Sequence, residues 1–268
     1  MVTSLGGTDV RTAAVAAPPA LVLPLPGEPL ADCRHTDCAE RLSAGLAALR
    51  DTLAGRPPAG YPPPSGEADR VRHRRLTGRR AAFPVWQSLA RALHGLAATP
   101  EGAADRMVAR AAALYDASSV LLLYAGGAAA AHPGVCDEWA RDHVPVPGAL
   151  RAARDRHPGP VLDPLTRAAR DHARVRVAVL PQGGRCPGRG PTEAEQARYD
   201  AHFHVERQPV CRPAYRASLA GLLARCAADI GAHGLGPLPD GCPDHLGREA
   251  LARLAPVALY EEPPGPAR

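Results

Sequence analysis

A chain of 268 residues, 46% of them apolar, is long enough for one large domain or two small ones and too apolar to be disordered throughout. Its net charge of +5 comes from arginine without any lysine, and it argues only weakly for a nucleic-acid partner. The seven cysteines are scattered, no stretch approaches the roughly 20 apolar residues of a membrane helix, and no signal peptide is evident. We therefore predict a cytoplasmic protein with reduced thiols and no membrane segment.

The N-terminal third predicts an arm followed by two helices. Residues 1–30 are rich in Ala, Pro and Gly without a sustained period, which is typical of a flexible arm. Apolar residues recur at helical spacing over Cys38–Leu53. After a proline-rich loop, the basic run Arg70–Arg80 is interpreted as a solvated loop. Pro84 then suits the first turn of a helix over Val85–Ala98.

The middle of the chain is mixed in pattern. An alanine-rich helix is expected through Tyr115, and the apolar run Ser118–Ala125 is either a buried strand or the end of a helix. Short helices are expected at Pro147–Arg156 and Asp163–Arg174. Val175–Leu180 has the apolar, β-branched composition of a strand.

The clearest helix start lies at Thr192, because Glu195 stands three residues later and completes a capping box. This helix is expected to run to about Arg207 and to end before Pro209. Two more helices are predicted, at Ala214–Ile230 and Leu246–Leu254. The elements together predict a mainly α fold with little β: a single helical domain over residues 31–260, followed by a frayed tail over residues 261–268.

The most informative segment is Tyr199–Cys211, YDAHFHVERQPVC, which holds His202 and His204 two residues apart. On a regular helix such residues point about 200° apart, so only one of them could bind a given iron. On an extended segment both would share a face and could chelate one non-haem metal with a carboxylate such as Asp200 or Glu206. A third interpretation is that both are partly exposed polar residues without a ligand role. The predicted helix favours a single ligand.

Three other groups are weaker candidates. His94, late in the Val85–Ala98 helix, could face an apolar pocket and act as a base or a hydrogen-bond donor, or could be structural. Cys33-x-His35-x-x-Cys38 has the spacing of half a zinc site, but the sequence supplies no second half. The Arg70–Arg80 run would suit a nucleic-acid-binding regulatory protein, although no aromatic residues are interleaved with it.

Four motifs, which follow one another along the sequence, together resemble those of a known protein family. They are the run Leu114–Gly126, the pair His132-Pro133, the segment Trp139–Asp142 (WARD) and the segment His202–Cys211 (HFHVERQPVC). In these motifs the chain resembles the bacterial haem-dependent L-tyrosine hydroxylases of natural-product pathways, including antibiotic biosynthesis. These are similar to the wider histidine-ligated haem aromatic oxygenases, among them tryptophan 2,3-dioxygenase. The resemblance covers about residues 80 to 230.

The resemblance implies a mainly helical fold, a b-type haem held by one proximal histidine, and ortho-hydroxylation of L-tyrosine or a close analogue by hydrogen peroxide. The proximal iron ligand falls on His202 or His204, and the distal catalytic histidine on His94. Arg141 would bind the substrate carboxylate, although its segment could equally be a salt-bridged structural turn. One relative in the resembled family attaches its haem covalently through an H-x3-C motif placed after the axial histidine. Here His132 and Cys136 have that spacing but precede the axial histidine, so the resemblance implies a non-covalent haem. The expected partners are an aromatic amino acid and hydrogen peroxide, without nucleic acid or membrane, and a homodimer is one expected assembly.

Overall fold

A computed structural model of the chain describes residues 19–33, 35–57, 64, 66–100, 102–126, 141–179 and 192–259. These residues form nine α-helices, a 3-10 turn and two short strands, which confirms the prediction of a mainly α, single-domain fold. In chain order the elements are β1 Leu21–Leu23, α1 Thr36–Leu53, α2 Glu67–Ala98, α3 Asp105–Gly126, α4 Pro145–Arg156, the 3-10 turn Pro160–Leu162, α5 Asp163–Val179, α6 Glu193–His202, β2 Val205–Arg207, α7 Arg212–His233, α8 Asp244–Arg248 and α9 Ala250–Leu259.

The centre of the fold is α3, which packs against α2, α5 and α9. The run Ser118–Ala125 lies inside this helix and is buried throughout. The approach of α2 is close, because a Cβ on Gly78 would lie 2.8 Å from Tyr124 Cδ1. Among the described helices, α3 alone is long and apolar enough to cross a bilayer, but 72% of that stretch is buried within the fold. Its apolar residues therefore form the core of the domain.

The basic run Arg70–Arg80 is not a solvated loop, so this prediction is wrong. It forms part of α2, and Arg79 and Arg80 are only 6% and 5% exposed. Arg74 Nε donates to Asp229 Oδ2 at 2.6 Å, where the carboxylate is fully buried. Arginine stems bury readily along apolar surface while the guanidinium finds a partner, and a count of charges along the sequence does not show this. Pro84 lies inside the same helix and not in the first turn of a new one.

Two other expected boundaries differ from the structure. The proposed strand from Val175 is the last turn of α5, where Val175 and Val179 are four residues apart and both buried. The helix that begins after Thr192 ends at His202, earlier than Arg207, because Val205–Arg207 forms β2. An alternation of apolar and polar residues over only three positions is too short to distinguish a strand from the end of a helix.

Strands β1 and β2 form a two-stranded parallel sheet, with Leu21 opposite Val205 and Leu23 opposite Arg207. Leu21 is 4% exposed and Leu23 is fully buried. Residues 19–30 of the expected arm therefore belong to the fold; prolines on both sides of the short apolar run hid the strand in the sequence. Residues 1–18 of the expected arm and the expected tail lie outside the described residues.

Candidate functional site

Arg207 joins the two motifs on which the resemblance depends most. Its Nη1 and Nη2 donate to Asp142 Oδ1 at 2.9 Å and Oδ2 at 2.8 Å. Its Nε and Nη2 donate to Asp200 Oδ2 at 3.0 Å and Oδ1 at 2.7 Å. Asp142 is fully buried and the Arg207 side chain is 12% exposed. One guanidinium thus holds two carboxylates in the paired geometry that favours arginine over lysine.

Two glutamines complete what we call the Arg207 cluster: Gln87, Asp142, Gln196, Asp200 and Arg207. Gln87 Nε2 of α2 donates to Asp142 Oδ1 at 2.6 Å, and Gln196 Nε2 of α6 donates to Asp200 Oδ1 at 2.8 Å. Burial raises the pKa of Asp142, whereas the hydrogen bonds from Arg207 and Gln87 act in the opposite direction. Burial would lower the pKa of Arg207, but its bonds to both carboxylates hold that pKa above its usual value. The cluster therefore fastens α2, the segment before α4, α6 and β2 together.

His202 and His204 flank the end of α6. His202 is the last residue of the helix, is exposed, and lies with its ring edge-on to Phe203 at a centroid distance of 4.7 Å. His204 is also exposed and has φ of 51°, which makes it the one non-glycine residue with positive φ in the described ranges. Such a backbone is costly and occurs often at functional sites. The segment is neither a continuous helix nor an extended strand between the two histidines.

Phe203, between the two histidines, is buried at 2% exposure. It packs against Phe83 of α2 at a centroid distance of 5.5 Å and against Tyr199 at 4.8 Å. Both phenylalanines of the chain thus meet at this point, in a sequence that has only two. The contact places the two exposed histidines at the rim of an aromatic cluster.

The other predicted site residues are more dispersed. His94 is exposed and does not face an apolar pocket. It follows Phe83 by 11 residues on α2, which corresponds to about 16 Å along the helix axis on nearly the same face. Arg141 is half-buried, and its backbone N–H donates to Gln196 Oε1 at 3.1 Å. Asp200 pairs with Arg207, which leaves the exposed Glu206 as the carboxylate for the alternative two-histidine chelate. Trp139, His132, Pro133 and Cys136 lie outside the described residues.

A second pair of histidines, which the sequence did not single out, lies inside the domain. The rings of His143 and His172 have centroids 5.9 Å apart and are inclined by 31°. The side chains are buried, at 7% and 3% exposure. Trp86 meets His143 edge-on at 5.3 Å, and Tyr115 lies 5.4 Å from His172. We call His143 and His172 the buried histidine pair.

The hydrogen bonds define the tautomer of His172. Ser119 Oγ donates its one hydrogen to Tyr115 O at 2.9 Å, so at 3.2 Å it must accept from His172 Nδ1. The Nε2 atom of His172 then carries a lone pair, and within the described residues the buried Nε2 atoms of both histidines have no hydrogen-bond partner. An imidazole with one nitrogen donating and the other bare is arranged as a metal ligand or a base.

Burial keeps both imidazoles neutral. It lowers the pKa of His143 to about 3 and that of His172 well below its usual value, and the nearby Arg176 acts in the same direction. The sequence carried a signal for His172: it occupies a position on the buried stripe of α5 with Leu165, Ala168, Val175 and Val179. That stripe was hidden because the sequence pattern divided α5 into a helix and a strand.

No family model matches the chain, and comparison with curated proteins finds no match. The relation to haem-dependent tyrosine hydroxylases therefore remains a prediction from sequence motifs. The structural observations that bear on it are the Arg207 cluster, the histidines at the end of α6 and the buried histidine pair.

Proposed function

We propose that the chain is a cytoplasmic haem-dependent monooxygenase that hydroxylates the aromatic ring of L-tyrosine or a close analogue, ortho to the phenol, with hydrogen peroxide. The observation that supports the proposal most directly is the Arg207 cluster. It brings Asp142 of the WARD motif against Arg207 of the HFHVER motif, 65 residues away. Two motifs that the resemblance assigns to one site thus meet in one place, within a mainly α domain.

The residues at the end of α6 fit a haem better than the buried histidine pair does. His202 and His204 are exposed imidazoles beside an aromatic cluster, and one of them would hold the haem iron. The buried histidine pair is a poorer site for a haem, because both side chains are buried and the rings of Trp86 and Tyr115 pack against them. When bound, a haem with one histidine ligand supplies an iron with an open position for peroxide.

The chain's own residues take the remaining roles. We assign the substrate carboxylate to Arg141, as expected from the sequence; in support, its backbone N–H donates to Gln196 Oε1, which ties its segment to the Arg207 cluster. The resemblance assigns proton transfer to His94, an exposed residue about 16 Å along α2 from Phe83. Asp142 has the structural, salt-bridged role that the sequence left open for its segment.

A second candidate function places the chemistry at the buried histidine pair. The observation in its favour is the two buried Nε2 atoms without a hydrogen-bond partner among the described residues. Two neutral imidazoles this close suit a single non-haem divalent ion, or a base acting on a small molecule.

The test is the absorption spectrum of the purified protein after haem reconstitution, with and without tyrosine. We expect a Soret band that shifts with tyrosine, and loss of that band in either His202→Ala or His204→Ala. His94→Ala should keep the band and lose hydroxylation. His233→Gln is the matched control, because His233 is the last residue of α7, about 30 Å along that helix from its start, and a glutamine amide can still donate to Asp229, which lies 3.4 Å from His233 Nδ1.

Two outcomes would contradict the proposal. One is the absence of any Soret band after reconstitution. The other is a bound iron without haem that disappears in His143→Gln and in His172→Gln but persists in His202→Ala and His204→Ala. The second outcome would establish the non-haem candidate.

A further inference from the structure

Three cysteines from distant parts of the chain meet where the chain leaves the β1–β2 pair. Ala31 forms a parallel bridge with Cys211, which brings Cys33 to the start of α7. Cys38 lies in the first turn of α1 and is 173 residues from Cys211. Within the described part of the chain, their three Sγ atoms form a group in which all lie within 4.8 Å of one another. We call Cys33, Cys38 and Cys211 the three-thiol cluster.

The spacing of the sulfur atoms matches a shared ion. Cys38 Sγ and Cys211 Sγ are 3.8 Å apart. Two thiolates bound at about 2.3 Å to a tetrahedral Zn²⁺ have sulfurs about 3.8 Å apart. Cys38 is buried, whereas Cys33 and Cys211 are half-buried, so a metal ion can reach the three-thiol cluster from solvent.

Helix N-terminal ends and hydrogen-bond donors lie beside the sulfur atoms. Cys38 and Cys211 stand at the N-terminal ends of helices of 18 and 22 residues, where the helix dipole stabilises thiolates. The backbone N–H of His35 donates to Cys33 Sγ at 3.4 Å, and Arg41 Nη2 donates to Cys38 Sγ at 3.4 Å. Donors to the sulfurs of a metal site typically orient the ligands and stabilise their charge.

The three thiols do not ionise equally without a cation. The N–H of His35 lowers the pKa of the Cys33 thiol. The hydrogen bond with Cys33, with burial in addition, raises the pKa of Cys38 to about 11. A bound divalent cation would stabilise all three thiolates, and soft thiolate ligands favour thiophilic ions such as Zn²⁺.

We propose that Cys33, Cys38 and Cys211 form a binding site for a thiophilic divalent metal ion, Zn²⁺ in the reducing cytoplasm, with solvent as the fourth ligand. Binding converts three thiols to three thiolates around the cation and releases three protons, with no change in oxidation state. The bound ion would fasten the segment after β1 to the first turns of α1 and α7. This site does not depend on the proposed function.

The test begins with metal analysis of the full-length protein, purified with a thiol reductant. We expect one Zn²⁺ per chain, less than a tenth of that in Cys33→Ser, Cys38→Ser and Cys211→Ser, and full content in the control Cys242→Ser, which replaces a half-buried cysteine outside the three-thiol cluster. His35→Ala should also keep the metal, because the cluster holds three thiols and no imidazole within the described residues.

A second measurement uses the unchanged protein, in case a serine variant fails to fold. Zn²⁺ is removed with a chelator and Co²⁺ is titrated in; we expect thiolate-to-cobalt charge-transfer and tetrahedral d–d bands that saturate at one equivalent, with a rise in Tm. Absence of these bands, or a Cys38–Cys211 disulfide found by mass spectrometry in protein kept reduced, would overturn the proposal. Loss of metal in His35→Ala would overturn the three-thiolate coordination.

Discussion

Replacing Arg207 with methionine should destabilise the domain strongly. The change leaves the fully buried Asp142 with Gln87 as a donor, and the Asp200 side chain, 11% exposed, with Gln196. Removing one partner of a buried ion pair costs about 3–5 kcal/mol, because the remaining charge is buried without compensation. A domain of this kind has about 5–15 kcal/mol of stability, so the variant should lose about a fifth or more of it.

The pH dependence of this loss follows from the pKa of Asp142. Burial already raises that pKa, and the variant lacks the opposing hydrogen bonds from Arg207, so the pKa rises further. The folded variant then binds a proton that the unfolded chain releases. Its stability is therefore greatest below the carboxyl's unfolded pKa and falls as the pH rises through the folded pKa. The difference in unfolding free energy between the unchanged protein and Arg207→Met should accordingly become smaller in acid.

Urea unfolding followed by far-UV circular dichroism, at about pH 7 and about pH 5, measures both effects. Arg56→Met is the matched control, because Arg56 pairs with Asp51 at 2.9 Å but the two side chains are 70% and 52% exposed. That exposed pair should contribute less than about 1 kcal/mol. Equal losses in Arg207→Met and Arg56→Met would refute a buried, charged Arg207 cluster.

Three further predictions concern other parts of the fold. Below the usual histidine pKa of 6.5, His143 and His172 take up protons in the unfolded chain but stay neutral in the folded protein. The unfolding free energy should therefore fall by about 1.4 kcal/mol per pH unit for each of these histidines as the pH is lowered. The double variant His143→Gln with His172→Gln should show a smaller decline in urea titrations at the same pH values. Gly78→Ala should destabilise by about 1–3 kcal/mol, since its Cβ would meet an aromatic ring at 2.8 Å, whereas Gly231→Ala, with open space, should stabilise by about 0.5–1 kcal/mol in the same assay. Thr192→Ala should lower the unfolding free energy by about 1 kcal/mol and Thr192→Ser should not, because the serine hydroxyl can still accept from the Glu195 N–H.

Local signals in the sequence predicted local structure well. The capping box is present as expected, with Glu195 N donating to Thr192 Oγ1 at 3.2 Å and Thr192 N donating to Glu195 Oε2 at 2.7 Å. The helix predicted over Cys38–Leu53 differs from α1 by two residues at its start. Caps and apolar periodicity act within a few residues, so one sequence is enough to show them.

Contacts between distant residues were not predictable in this way. From the sequence alone, the arginines of α2 have the composition of a solvated loop. The buried carboxylate of Asp229, which pairs with Arg74, is far away in sequence and becomes apparent only in the structure. Cys211 completes a cluster with Cys33 and Cys38 only after β1 and β2 have paired. Charge partners and metal ligands are set by the packing of whole elements, and a spacing rule finds them only when they are close in sequence.

The parallel pairing of β1 with β2 also orders events during synthesis. Arg207 lies within hydrogen-bonding distance of Pro24, 183 residues earlier. At about 5–20 residues per second, the first strand emerges roughly 10 to 40 seconds before its partner does. Leu21 and Leu23 remain unpaired for that interval, so the nascent N-terminus is the segment that a chaperone would protect. When β2 is made, α1 to α6 already precede it among the nine described helices, so β1 finds its partner late in the synthesis of the domain.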